Sequence, residues 1–292
     1  MSAQTVFESS HKNVKKIKMY FINIVKYIRY SVLAIFLICT ASSFQTVSQE
    51  TSQPPKKTFT VVIDPGHGGA ALGAVGRKSK EKDIVLEVSQ KLKKELEEKY
   101  GINVLLTRNT DVDVPFRTRS EIANKNHADL FISIHANSAN SARHRNPQVT
   151  GTETLVLGFH RMNEQDVAIR ENADMLLEEN YEENNADLVG FDPKDPSSYI
   201  VFKVMKRQHR DRSIRLAALI QNEYVAANRN NRGVKEQGLA VLARASMPAV
   251  LTEIGFISSP SEEDYMLSSE GQAEIVKNIA DAIKNYKTAV EN

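Results

Sequence analysis

Thr58 to Gly69 reads TFTVVIDPGHGG. The β-branched and aromatic run TFTVVI stops at a proline and three glycines with one histidine among them, the pattern of a buried strand ending in a tight turn. Two readings of that turn are open. Either His67 merely occupies it, or the turn exists to hold an imidazole where the strand runs out. The choice depends on what else the chain delivers to the same place.

Further apolar runs follow: INVLLTR, DLFISIHA, TETLVLG, LAVLARA and AVLTEIGF read as strands. Helical spacing lies between them. Val85, Val88, Leu92 and Leu96 form one apolar face, and Ile275, Ile279, Ala282 or Ile283, and Tyr286 form another. This alternation predicts a single α/β domain with a mainly parallel central sheet and helices on both faces. Ligand sites in such sheets lie at the carboxyl ends of the strands. His67 follows TFTVVI, His135 closes DLFISI, and Glu253 follows AVLT. Three polar groups therefore fall where three apolar strands end.

Taken singly, His67 and His135 each fit a structural histidine. Together they supply what a metal requires, rigid ligands from separate elements. A catalytic zinc site takes three protein ligands, often two histidines and a carboxylate, and keeps a position for water. Glu81, which opens the amphipathic helix in KEKDIVLEV, is the candidate third ligand. Its location also fits a charge placed only to complement the helix dipole. Glu253 is costly to bury after so apolar a strand unless it has a task, and a carboxylate beside the metal could serve as general base and acid. Gly255 allows a sharp turn behind it. HExxH, GxSxG and Walker sequences are absent from the chain, which leaves helix-borne zincins, serine hydrolases and P-loop enzymes without support. GHGGAALGAVG lacks dinucleotide spacing. His127, His144, His160 and His209 are expected to be solvated.

Residues 159–211 break the alternation and are longer than ordinary connections. Glu171 to Asp187, ENADMLLEENYEENNAD, holds seven carboxylates and no lysine or arginine. An inserted helical segment packed on the domain surface is expected here.

The remaining composition narrows the compartment and the partners. The 292 residues carry 38 basic and 36 acidic groups, a net charge of +2, which gives no support to a nucleic-acid partner. Basic HKNVKKIKMYFINIVKYIRY precedes the uncharged SVLAIFLICTASSF, Ser31 to Phe44, with Ala41-Ser42-Ser43 as a small-residue cleavage site. This is the layout of a secretory signal over residues 1–43, and the apolar run is short of the ~20 residues of a membrane span. An uncleaved anchor is the alternative, and the signal segment is the sole membrane contact expected. Met19 would give a signal of more usual length. Ile38, rather than a small residue, precedes the single cysteine, Cys39, which argues against lipidation. With that segment removed the chain has no thiol, excluding cysteine nucleophiles, disulfides and Cys-type zinc sites. Residues 44–57 read as a polar linker, and residues 58–290 as the folded domain.

In this order, VVIDPGHGG, KEKDIVLEV, ISIHAN and LTEIGF resemble the signature blocks of the zinc-dependent N-acetylmuramoyl-L-alanine amidases, including the cell-division amidases of Gram-negative bacteria. The resemblance runs from Val61 to about Tyr286. It implies Zn2+ held by His67, Glu81 and His135, with Glu253 as the catalytic carboxylate. It implies hydrolysis of the amide between N-acetylmuramic acid and L-alanine in peptidoglycan, by a secreted, periplasmic enzyme acting in cell-wall remodelling or daughter-cell separation. Within the inserted segment, EENNADLVG (residues 182–190) is similar to the regulatory region of the division amidases, which implies a carboxylate from Glu171, Glu178, Glu179, Glu182 or Glu183 filling the open zinc position until an activator protein displaces the helix. After the last helix only KTAVEN remains, so targeting is expected from the domain or a partner. Two rivals keep the same fold: a zinc peptidase acting on free peptides, which would need a pocket for a terminal charge, and a non-catalytic peptidoglycan-binding protein, which would be expected to lose one of the four polar positions.

Overall fold

Alternation along the strands decides what each face of the sheet receives. In β1 (Thr60–Pro65) and β3 (Leu130–Asn137), Val61, Ile63, Leu130, Ile132 and Ile134 enter one hydrophobic core, while Val62 and Phe131 enter the other. Successive side chains point to opposite faces, so Asp64, Ser133 and His135 share the second face with Val62 and Phe131. The computed structural model describes residues 16, 18–29, 58–139, 148–158, 165–185, 191–200 and 209–291. They fall in two units, Met1–Lys56 and Lys57–Asn292.

In the first unit residues 18–29 are helical and exposed. The apolar run Ser31–Phe44, Cys39 and the whole of the expected linker, residues 44–57, lie outside the described residues, as do His144 and His160. Among the described residues no helix is long and apolar enough to cross a membrane.

The second unit contains a six-stranded sheet. Its other strands are β2 (Asn103–Leu106), β4 (Thr152–Leu157), β5 (Asn231–Gln237) and β6 (Ala249–Phe256). The order is β2-β1-β3-β6-β4-β5, parallel throughout except where β4 runs antiparallel to β6. The first core is closed by α1 (Glu81–Tyr100) together with long helices at residues 210–226 and 269–291. Val85, Val88, Leu92, Leu96, Ile275, Ile279, Ala282, Ile283 and Tyr286 are all buried, as their spacing requires. The opposite core takes α2 (Phe116–Lys125) and the acidic segment, which comprises α3 (Asp166–Asn172), a 3-10 turn at Ala173–Leu177, α4 (Tyr181–Asn184) and a second 3-10 turn at Pro196–Ile200. The helix at residues 210–226 is α5 (Arg210–Ala226), followed by α6 (Ala240–Ala243), α7 (Pro260–Leu267) and α8 (Ser269–Glu291).

Three expectations change. LAVLARA forms α6 rather than a strand, because Leu239, Ala240, Val241 and Leu242 are all buried and a short apolar run has no period to separate the two states. Asn172 secures that turn, accepting from the Ala240 N–H at 2.9 Å and donating to the Gly238 carbonyl at 2.7 Å. The strand beside β4 is instead NRGVKEQ, whose polar sequence lacks the apolar alternation of a half-buried strand. The acidic segment does more than coat the surface: Val167, Ala168, Met175, Phe191 and Tyr199 are core residues.

Beneath the turn after β1 lies a buried ionic network. Asp64 accepts from Thr107 Oγ1 (2.6 Å), Ser133 Oγ (2.7 Å) and the Arg119 guanidinium (2.8 Å). Arg119 also donates to the carbonyls of Pro65 (2.9 Å), His67 (2.7 Å) and Val114 (2.8 Å). Arg108 donates to Pro65, Gly66 and Lys82 carbonyls at 3.0, 2.7 and 2.9 Å. Buried carbonyls without partners would be costly, and these two guanidiniums supply donors where the chain leaves the sheet.

Replacing Arg119 by alanine leaves a buried carboxylate unpaired, and the expected loss is about 3–5 kcal/mol, read as a lowered urea midpoint at pH 7. Burial raises the Asp64 carboxyl, but Arg119 and the Thr107 and Ser133 hydroxyls hold it below its ordinary value. Its contribution is therefore complete above about pH 4 and lost as pH falls through the native value. The stability gap between wild type and Arg119→Ala narrows on acidification from pH 7; a gap constant with pH would contradict the role given to Asp64.

Candidate metal centre

Three separate stretches of backbone converge on one point. His67 sits in the turn after β1 with φ 59°, a left-handed conformation that a non-glycine residue adopts only when its surroundings enforce it. Glu81 is the first residue of α1, and His135 lies near the end of β3. All three are buried. The His67 and His135 rings meet edge to face with centroids 4.8 Å apart. Two glycines permit the convergence. A Cβ on Gly66 would lie 2.5 Å from the His135 ring, and one on Gly73, at φ 65°, would lie 2.6 Å from the His67 ring.

Glu81 has both oxygens engaged. Oε2 accepts from the Ala74 N–H (2.8 Å), and Oε1 accepts from the Ala136 N–H (2.8 Å) while lying 3.0 Å from His67 Nε2 and from His135 Nδ1. The bland reading of Glu81, a charge serving only its helix, does not describe these contacts. Glu171, from the last turn of α3, completes the cluster: its Oε2 is 2.9 Å from His135 Nδ1 and 3.3 Å from His67 Nε2. Of the acidic candidates in the segment, Glu171 is the one placed here. Glu178 accepts from the Phe116 N–H instead, and Glu179, Glu182 and Glu183 are exposed.

The donor atoms of His67, Glu81, His135 and Glu171 all lie within 4.8 Å of one another. Tetrahedral ligands about 2.0–2.1 Å from a divalent ion are separated by roughly 3.3 Å, close to the spacings found. His67 Nε2 and Glu171 Oε2 are buried without any hydrogen-bond partner. Orphaned polar atoms of that kind ask for a ligand, and two imidazoles with two carboxylates are a donor set suited to a divalent cation. The charges tell the same story. Burial disfavours the His67 imidazolium, yet Glu81, Asp174 and Glu171 raise its pKa well above the ordinary value. Burial likewise opposes protonation of His135, but Glu171 and Glu81 lift it to about 9. Despite burial, Glu81 is lowered to about 2, chiefly by His67, and Glu171 falls well below its usual value beside Arg170 and His135. Two carboxylates here draw two positive charges, which a divalent cation can supply in place of protons.

Glu253 lies one strand over, paired in register with His135 and fully buried. Its Oε1 accepts from Arg170 at 3.1 Å, while Oε2 has no partner. Burial, then the Glu171 and Glu81 carboxylates, push its pKa well up against the pull of Arg170 and His135. Arg170 itself also donates to Glu171 (2.7 Å) and to Asn137 Oδ1 (2.9 Å). Asn137 is oriented in turn by Glu153 Oε1 at 2.6 Å. His67, Glu81, His135 and Glu253 stand out in the sequence, whereas Arg170, Asp174, Asn137 and Glu153 enter only through the fold. IRENAD did place a lone arginine directly before the acidic run, the one available signal. His127 is exposed as expected, whereas His209 is half-buried.

Two histidines carried at strand ends and two glutamates carried on helices make a candidate metal site on an α/β domain whose sheet is covered on both faces. Residues 61–285 match the family of N-acetylmuramoyl-L-alanine amidases. The chain belongs to that family. It is 31% identical over 248 residues to AmiC of Escherichia coli O6:H1, covering 82% of this chain and 56% of AmiC. With AmiA of Escherichia coli K12 it shares 32% over 232 residues, 77% of this chain and 75% of that protein. The chain thus spans about half the length of the AmiC relatives it matches. Among solved structures, the N-acetylmuramoyl-L-alanine amidase of Clostridium difficile 630 superposes with TM-score 0.59 at 26% identity, covering 79% of this chain and 97% of that one.

Gly66→Ala is expected to push the His135 ring out of line while leaving the sheet intact. Elemental analysis after dialysis should find well under one divalent cation per protein, with unchanged far-ultraviolet circular dichroism. Full metal content in this variant would contradict the close-approach argument.

Proposed function

We propose that this protein hydrolyses the amide joining the lactyl group of N-acetylmuramic acid to L-alanine in the stem peptide of peptidoglycan, using zinc held by His67, Glu81 and His135. The observation that carries this reading is the convergence of those three donors with the free Glu253 Oε2 on the adjacent strand. Family membership supplies the substrate class. Zinc in such a site polarises the scissile carbonyl and lowers the pKa of water toward ~7.

The chain's own residues do the rest. Glu253, in register with His135 on the adjacent strand and with Oε2 unpartnered, is the group we assign to take a proton from the attacking water and return it to the departing alanine nitrogen. A carboxyl raised by burial suits both directions of that transfer near neutral pH. Asn137, oriented by Glu153, accepts from Arg170 through its Oδ1 and so helps to hold that guanidinium beside Glu253. Next to Glu153 and Arg170 lies a cavity of about 810 Å³, edged by Arg232, Lys235 and Phe256, within the ~300–1,000 Å³ usual for ligand sites. We assign it to the muropeptide. Arg170 lines this cavity and also the one of about 240 Å³ that contains His67, Glu81 and Glu171.

The resting enzyme is closed by the dipeptide Arg170-Glu171. Glu171 takes the position that an attacking water requires, and Arg170 occupies Oε1 of Glu253. Activation then means withdrawal of α3, which joins the two cavities; an activator protein is the expected agent. The basic and apolar N-terminus fits secretion to the periplasm, where peptidoglycan lies, and a part in wall remodelling or daughter-cell separation is the role proposed for the enzyme there.

Glu253→Gln should retain one zinc per protein while hydrolysis of purified peptidoglycan, followed as release of free stem peptide, falls about 10²–10⁴-fold. Glycan strands lacking peptide must appear with the wild type; cleavage of free peptides alone would overturn the assignment. Glu171→Ala should raise basal hydrolysis several-fold, whereas unchanged turnover would remove the resting-state plug.

A further inference from the structure

The His67 ring has carboxylates beside both of its nitrogens. Nε2 faces Glu81 and Glu171 in the donor cluster, and Nδ1 lies 2.5 Å from Asp174 Oδ2. Asp174 stands on the 3-10 turn Ala173–Leu177, immediately after α3. Positions three apart lie on one side of a helical turn, so Glu171 and Asp174 reach the same imidazole from the same segment. An imidazole ligates through one nitrogen while the other carries the proton. A carboxylate accepting that proton fixes the tautomer, holds the ring plane and raises the basicity of the ligating nitrogen. His67 needs such help, because its backbone is held in a left-handed conformation on a glycine-rich turn.

We propose that Asp174 is a positioning residue for His67, so that the segment which plugs the site also tightens the hold of the site on its cation. The inference rests on the reading of His67 as a ligand. Its consequence is that closed enzyme retains metal better than open enzyme: withdrawal of α3 removes Glu171 from the donor cluster and Asp174 from Nδ1 in one movement. Uncovering the site then loosens it, and an activated molecule that loses its ion falls silent.

The test uses the full chain loaded with zinc and follows transfer of the metal to a chromogenic chelator. Asp174→Ala should release zinc about 10–100-fold faster than wild type, the range found when a partner behind a metal-bound histidine is removed. Asp174→Asn keeps an oxygen able to accept the Nδ1 proton and should restore most of the retention, which a merely structural loss would not allow. In protein labelled at histidine ring nitrogens, the Nδ1–H resonance of His67 should move in Asp174→Ala and lie near its wild-type position in Asp174→Asn. Release rates of Asp174→Ala within twofold of wild type would overturn the proposal while leaving the amidase assignment standing, as would an Asp174→Asn variant as leaky as the alanine. Absence of bound zinc in the wild type would overturn both.

Discussion

The site depends on one buried ionic constraint, the clamp of Asp64, Arg119 and Arg108 under the turn after β1. A chain leaving the end of a buried parallel strand has carbonyls that the ladder no longer satisfies. Here two guanidiniums donate to the carbonyls of Pro65, Gly66 and His67, and Asp64 offsets their charge from inside the sheet. That arrangement holds His67 in a backbone conformation it would not choose. The turn is further tied by Gly66 N–H to Ile134 O and by Glu263, which accepts from the N–H groups of Arg77, Lys78 and Ser79. Rigid support of this kind keeps donor atoms within the narrow tolerances a metal demands.

Much of this was legible in the residues, for physical reasons. His67, His135 and Glu253 each follow a strongly apolar run, and a polar group in such a place must either be satisfied or serve a purpose. The helices α1 and α8 announced themselves by long apolar stripes at helical spacing. What escaped notice had no such contrast. Asp64 and Arg119 are ordinary charges in sequence, and only the strand parity that turns Asp64 to the face of Val62, together with the approach of α2, makes them a buried pair. β5 gives no strand signal because NRGVKEQ has no apolar rhythm, and LAVLARA reads as a strand because so short an apolar run carries no period. Arg170 and Asp174 lie in a segment whose composition suggests solvent, and their importance comes from tertiary contacts that composition does not encode.

Electrostatics bind the donor cluster to its neighbours. Two carboxylates, Glu81 and Glu171, sit among two imidazoles, and a third, Glu253, stands beside them on the next strand. Like charges so close disfavour simultaneous ionisation, and the guanidinium of Arg170 relieves the strain by touching both Glu171 and Glu253. The withdrawal of α3 proposed above would take away Arg170 and Glu171 together with Asp174 on the following turn, leaving Glu253 without the guanidinium on its Oε1.

The polar edge strand β5 has a consequence for the molecule in crowded solution. Its outer side would otherwise offer unpaired backbone groups to a strand from a second molecule, the usual start of sheet-to-sheet polymerisation. Arg232, Lys235 and Glu236 stud it with charge, Gly233 takes a left-handed turn within it, and the register against β4 slips between Thr152 and Thr154. Each of these spoils the flat, regular template that intermolecular ladders need. The sequence irregularity that hid the strand from view is therefore also what lets the sheet end there.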